Sequence, residues 1–193
     1  TVLLASDGVV RSAAPLEVPD EPCWVLLSTT GRAARTDSAA PLPVTGPRAT
    51  HDVIAAAIKV TSHAEFGVIT NTGRLLRAKA IELPTVPLTA TAPNLQGGSA
   101  SRELWPLEQG ERVVGLTSLN PEGPGLALGT LRGVVKRVNP EVIGKDSWDV
   151  IRLEEGDEVV GAVELASPNL AFITSDAQLL HFSADLVRPQ GRL

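Results

Sequence analysis

The chain contains no tyrosine, one cysteine, and only three phenylalanines and three tryptophans among 193 residues. Without tyrosine it cannot supply a tyrosine nucleophile, and so few rings cannot line a stacking platform for single-stranded bases. A lone cysteine, Cys23, excludes an internal disulfide and a cysteine-rich zinc site, and fits a reducing cytoplasm. No apolar run approaches the roughly 20 residues that span a bilayer. The opening stretch, Val2-Leu3-Leu4-Ala5, carries no initiator Met, basic leader or small-residue cleavage site, so we expect a piece of a longer protein without a signal peptide. A net charge of −5 argues against indiscriminate binding of polyanions, so the placement of the 17 Lys and Arg must decide. What is present, 43% hydrophobic and 20% charged residues, is ordinary for a soluble globular protein. The length suits one buried domain or an array of small sheets that share cores.

A repeat in two alternating parts organises the chain. The first part is an apolar strand, a Ser/Thr and Gly turn, and a second strand ending on a base. It reads Trp24-Val-Leu-Leu-Ser-Thr-Thr-Gly31-Arg-Ala-Ala-Arg35, Phe66-Gly-Val-Ile-Thr-Asn-Thr-Gly73-Arg-Leu-Leu-Arg77 and Leu126-Ala-Leu-Gly-Thr-Leu-Arg-Gly133-Val-Val-Lys-Arg137. A degenerate copy spans Ala171 to His181 around Ala177, and a related hairpin turns on Asp7-Gly8 between Val2 and Arg11. Each copy predicts a tight β-hairpin, because a residue that accepts positive φ separates two short runs of strand formers. The second part is acidic: Leu107-Glu-Gln-Gly110-Glu-Arg-Val-Val-Gly115 matches Leu153-Glu-Glu-Gly156-Asp-Glu-Val-Val-Gly161 after 46 residues. It predicts a loop feeding a buried strand, and about four strands in about 46 residues is the size of a propeller blade.

Other features are weaker. The best helix candidate, Asp52 to Lys59, is short and suits a strand equally well. The segments Ala39 to Thr50 and Leu83 to Gly98 are dense in Pro, Thr, Ala and Gly and predict long surface loops or blade connections rather than packed elements, the most mobile parts of the chain. The carboxylates Glu154, Glu155, Asp157 and Glu158, with their twins Glu108 and Glu111, lack EF-hand spacing and predict solvated turns. His51, His63 and His181 are too scattered for a metal site. Gly97-Gly98 lacks the Lys-Ser/Thr of a phosphate-binding loop, and no Ser-His-Asp grouping stands out. Trp24, Trp105 and Trp148 are expected as core or interface anchors. No catalytic residue, metal or cofactor is therefore expected.

The words Ile69-Thr-Asn-Thr-Gly73-Arg-Leu-Leu-Arg-Ala-Lys-Ala80-Ile-Glu-Leu-Pro84, Pro106-Leu-Glu-Gln109, Gly133-Val-Val-Lys-Arg137 and Gly156-Asp-Glu-Val-Val-Gly161 resemble the C-terminal β-pinwheel domains of bacterial type IIA topoisomerase A subunits, those of DNA gyrase and topoisomerase IV. The resemblance implies an all-β, propeller-like β-pinwheel of about four blades of four antiparallel strands, filling residues 1–193. The blades would run roughly over 1–62, 63–120, 121–167 and an incomplete 168–193, leaving the ring open or closed by the N-terminal hairpin. It also implies as partners duplex DNA, the remainder of the A subunit, and its ATPase subunit, with no membrane or small-molecule substrate. The expected location is the bacterial cytoplasm, at the nucleoid. Gyrase marks its first blade with a Gln-Arg-Arg-Gly-Gly-Arg/Lys-Gly box needed for chiral wrapping. Here the corresponding loop is Val44-Thr-Gly-Pro-Arg48-Ala-Thr-His51, and Pro189-Gln-Gly-Arg192 is at best a fragment of the box. That departure favours a topoisomerase IV-like or divergent subunit that contacts DNA mainly to select its substrate.

On a radial repeat, Arg32, Arg35, Arg74, Arg77, Lys79, Arg132, Lys136 and Arg137 are expected along one basic rim that follows phosphates and reads deformability rather than base edges. His181 stands where the other copies have Arg, so the last blade should contribute least. The competing expectation is a propeller-type protein-interaction module that does not bind DNA, marked by an exposed apolar patch.

Overall fold

The computed structural model describes residues 18–46, 49, 52–91 and 93–191. The expected hairpin of Val2 to Arg11, Arg48, His51 and Arg192 lie outside them.

Four hairpins form where the repeat predicts them: β1 (Pro22–Ser28) with β2 (Arg32–Thr36), β4 (Glu65–Thr70) with β5 (Arg74–Lys79), β9 (Leu126–Thr130) with β10 (Val135–Val138), and β13 (Asn169–Ile173) with β14 (Leu179–Ser183). One turn chemistry serves all four. The amides of Gly31, Gly73, Gly133 and Ala177 each donate to the carbonyl of the Ser or Thr three residues earlier at 3.0 Å. The hydroxyl of that same residue then accepts the next amide, from Arg32 at 3.0 Å, Arg74 at 3.2 Å, Val134 at 3.1 Å and Gln178 at 3.0 Å. The turn requires the left-handed region, with φ of 76°, 82° and 83° at the glycines and 61° at Ala177. A Cβ there costs about 1–2 kcal/mol, so the last hairpin carries strain that the others avoid.

Each of the first three hairpins grows into a larger sheet by two rules. A later strand adds antiparallel to its first strand: β3 (Ile54–Thr61) on β1, β8 (Val113–Ser118) on β4 and β12 (Val159–Glu164) on β9. A short strand from beyond the next hairpin then returns to its second strand: β6 (Thr85–Val86) on β2, β11 (Ser147–Asp149) on β5 and β15 (Pro189–Gln190) on β10. The returning strand is parallel in the first and third sheets and antiparallel in the second. In the first sheet β7 (Ser99–Ala100) also pairs with β2 and leads into the single turn of α1 (Ser101–Leu104). The fourth sheet consists of β13 and β14 alone among the described residues.

Cores lie between successive sheets. Val25, Leu27 and Ile58 of the first sheet meet Phe66, Val68, Leu76 and Leu116 of the second, with Trp105 edge-on to Phe66 at 6.3 Å. Ile69 and Leu75 then meet Leu126, Leu128, Val150 and Val159, and Ala127 meets Leu170 and Ala184. Fully burying each such aliphatic side chain contributes roughly 1.5–3 kcal/mol, so every sheet depends on its neighbours.

One ambiguity resolves and one expectation needs revision. Residues 54–61 are strand, because pairing along β1 buries Ile58 and satisfies the backbone that a short isolated helix could not stabilise. Residues 83–98 are not simply loop: Val86 and Leu95 close the outer face of the first sheet over Leu26 and Ala34, with Trp24 and Leu42 packed beside them.

Candidate nucleic-acid interface

The exchange of returning strands decides what the repeated arginines touch. Four residues past each turn stand Arg35, Arg77 and Arg137, beside the chain that arrives from the next period. Arg77 donates to the carbonyls of Ile143 and, at 3.2 Å, of Lys145, pairs with Glu65, and stacks over Trp148 at 5.9 Å. Arg137 donates to the carbonyls of Ala184 at 2.8 Å and Val187 at 3.2 Å and to Asp185 at 3.4 Å. These guanidiniums brace segments whose two or three ladder residues could not hold them alone. Arg35 is half-buried beside Thr36 and Thr85, and its Nε, like that of Arg137, is buried without a hydrogen-bond partner. Lys136 is 9% exposed, and its Nζ donates to the Val150 carbonyl at 2.9 Å. Burial pushes its pKa down, with Glu141 partly opposing the shift.

The residues beside the turns are similarly engaged. Arg32 donates to the Gly98 carbonyl at 2.6 Å. Arg74 forms a fork on Glu111, with Nε at 3.0 Å and a terminal nitrogen at 2.6 Å, and also pairs with Glu108 at 3.2 Å. The side chains of Arg74, Arg77 and Arg137 keep only 23%, 18% and 17% of their exposure, so most of their donors face protein. Lys79 and Arg132 are exposed.

The structure contains a lock that the sequence pattern does not reveal. Glu111 is 1% exposed rather than solvated. Its burial would raise its pKa, but hydrogen bonds from Arg74, Thr72, the Glu108 amide and Thr70 outweigh that and hold the carboxyl at about 2. Asp157, its counterpart in the second acidic word, accepts from the Arg132 amide at 3.0 Å and the Glu158 amide at 2.9 Å. Burial would raise Asp157 too, but hydrogen bonds from Thr130, Arg132 and Glu158 keep it low. The carboxylate of each acidic word thus closes the turn of the preceding hairpin.

Two exposed cations outside the expected set emerge from the exchange. Lys145 sits two residues before the returning strand β11 and Arg188 directly before β15, on the outer margin of the second and third sheets. Acids share that margin, including Glu82, Glu141, Asp146 and Asp149, so it is mixed rather than uniformly basic. Among the described residues no cluster of three or more His, Cys, Asp or Glu could hold a metal ion, and no helix is long and apolar enough to cross a membrane.

No family model matches the chain. Its sequence is 33% identical over 138 residues to the A subunit of DNA gyrase from Mycolicibacterium smegmatis, covering 68% of this chain and 16% of that protein. The chain therefore spans about a sixth of the length of that curated relative. The fold is similar to the crystal structure of the C-terminal domain of DNA topoisomerase IV, with a TM-score of 0.63 and 18% identity over 91% of this chain and 55% of that one. It is also similar to the DNA gyrase A C-terminal domain, with a TM-score of 0.55 and 22% identity over 89% of this chain and 58% of that one. Sequence likeness to the gyrase A protein and the shared fold together place this chain among the C-terminal β-pinwheel domains of bacterial type IIA topoisomerase A subunits.

Proposed function

We propose that the chain is a non-catalytic duplex-DNA-binding and bending domain that positions the segment its parent topoisomerase transports. The observation that carries this reading is the returning-strand exchange. It sets exposed Lys145 and Arg188 beside the returning strands of two successive sheets, with exposed Lys79 at the end of β5 and Arg132 at a hairpin turn. A duplex bent along that margin would meet cations in succession without any base readout. Arg35, Arg77, Arg137 and Lys136 then serve chiefly to hold the margin in place. Absence of tyrosine supports a non-catalytic role for this piece, with nucleotide chemistry in an ATPase subunit and strand cleavage in the remainder of the A subunit. The missing Gly-Gly pair in the loop at residues 44–51 supports selection of a DNA segment in the manner of topoisomerase IV over gyrase-type wrapping. The expected setting is the bacterial cytoplasm, at the nucleoid.

The test is binding of a labelled duplex at low and moderate salt, beside a variant with Lys79, Arg132, Lys145 and Arg188 changed to Glu. About four phosphate contacts predict a log–log salt slope of about −3.6, lost in the variant. A wild type that ignores duplex even at low salt would sink the DNA reading for this chain.

A further inference from the structure

The first turn repeats the second in its donors but not in what they hold. Ser28, Thr30 and Arg32 occupy the places of Thr70, Thr72 and Arg74. In the second hairpin those groups hold one carboxylate: Thr72 donates to Glu111 at 2.6 Å and Arg74 forks on it. The third turn also closes on a carboxylate, through the Arg132 amide and Asp157. The first turn is built alike, with the Ser28 and Thr30 hydroxyls 2.9 Å apart, as those of Thr70 and Thr72 are. Among the described residues, however, no carboxylate accepts from Thr30 or Arg32, and Arg32 donates to the carbonyls of Gln96 and Gly98. The loop entering β3, residues 47–53, offers one acid, Asp52. Its carboxylate accepts the Leu95 amide at 2.8 Å and the Ala49 amide at 3.3 Å instead.

Beside that turn lies a cavity of about 450 Å³ whose polar lining includes Ser28, Thr30, Ser101, Arg102 and Arg112. Glu111 borders it too, but Arg74, Thr72 and the Glu108 amide take up its carboxylate. Neither guanidinium is neutralised as Arg74 is. Arg102 has no carboxylate partner among the described residues and donates to the carbonyls of Glu108 at 3.3 Å and Glu111 at 2.9 Å. Arg112 stands where the second acidic word has Glu158, and makes one half-exposed pair with that residue at 2.9 Å. Such a pair is weakly held, so the guanidinium can turn to a ligand. We propose that the cavity binds the dianionic phosphate group of a small molecule, held by the Thr30 hydroxyl and the guanidiniums of Arg102 and Arg112. The second turn states the chemistry, since a hydroxyl and a guanidinium at the equivalent places hold an oxyanion there. Two guanidiniums in place of one favour a dianion over a carboxylate, and their planar forks match phosphate oxygens. The volume is that of a small-molecule site, larger than a carboxylate side chain fills, and leaves room for the group that carries the phosphate.

The probe is inorganic phosphate above its second ionisation, titrated into the full chain at fixed ionic strength while backbone amide shifts are followed by NMR. One saturable site is expected, with shifts confined to residues 28–32, 101–102 and 111–114. Methyl phosphate should compete for it, and dimethyl phosphate, a diester of single charge, should not. Arg102→Gln and Arg112→Gln should each weaken binding by about tenfold. Thr30→Val should weaken it by about threefold. Lys59→Gln, an exposed cation on β3 outside the cavity lining, should leave it unchanged. Shift mapping on the wild type reads the site without any variant, so the test survives a variant that fails to fold. The proposal is overturned by shifts that never saturate, by equal weakening in Lys59→Gln, or by equal competition from dimethyl phosphate. Displacement of phosphate by a duplex without terminal phosphates also overturns it, since the cavity would then belong to a DNA path.

Discussion

The second and fourth hairpins share one sequence word and have opposite surroundings. The hairpin of β4 and β5 lies between two sheets, receives strands on both edges, and has its turn closed by Glu111. The hairpin of β13 and β14 leans on the third sheet through Leu170, Phe172 and Phe182, and among the described residues nothing covers its other face. Local sequence therefore makes the hairpin, while its stability comes from neighbours, as expected of a quasi-linear array. An apolar pair such as Ile69 and Leu75 is core in the second period, and its equivalents Ile173 and Leu179 are surface in the fourth.

That contrast can be broken most strongly at its centre. Ile69→Ala should cost about 3–4 kcal/mol, because the surrounding core cannot collapse around the void, while Ile173→Ala should cost under about 0.5 kcal/mol. Chemical denaturation of the two variants checks this. Glu111→Ala should cost about 3 kcal/mol by leaving Arg74 and Thr72 without their shared acceptor, whereas Asp157→Ala, half-buried and serving mainly amides, should cost about 1 kcal/mol.

Acid sharpens the same point. The folded pKa of Glu111, about 2, lies below its ordinary value of 4.5, so its contribution is complete above about pH 4.5 and is lost as pH falls toward 2. On the order of 3 kcal/mol should disappear across that window, and Glu111→Gln should flatten that part of the stability–pH curve. At the turns, Gly73→Ala should cost about 2 kcal/mol, since its Cβ would stand 2.6 Å from Ile151 at φ 82°. Gly133→Ala, with open space at the same φ, should cost about 1 kcal/mol. Ala177→Gly should do the reverse and stabilise the last hairpin by about 0.5 kcal/mol, read from hydrogen exchange in β13 and β14.

How much of this was legible depended on length and contrast. The hairpins were, because Ser/Thr-x-x-Gly between apolar runs encodes both the hydroxyl lock and the positive φ. The acidic words were legible as strand entrances through Val-Val-Gly. The returning strands were not: Thr85–Val86, Ser147–Asp149 and Pro189–Gln190 are two or three residues long, with no alternation to announce them. Register against β2, β5 and β10 makes them strands. Without them, Arg77 and Arg137 look like solvent-facing rim cations, and Lys145 and Arg188 look like loop residues. Glu111 was hidden for a related reason. Within an acidic run nothing local separates it from Glu108, and only its distance to Thr72 and Arg74 shows which carboxylate closes the turn.

We propose a division of labour in which half-buried arginines brace the returning strands and exposed cations meet DNA. The most direct measurement compares Arg77→Met with the double variant Lys145→Met and Arg188→Met, recording melting temperature and low-salt duplex affinity for each. We predict that Arg77→Met lowers the melting temperature and leaves the affinity of folded protein within about twofold, while the double variant melts like wild type and binds at least fivefold more weakly. A normal melting temperature with lost affinity in Arg77→Met would contradict the account.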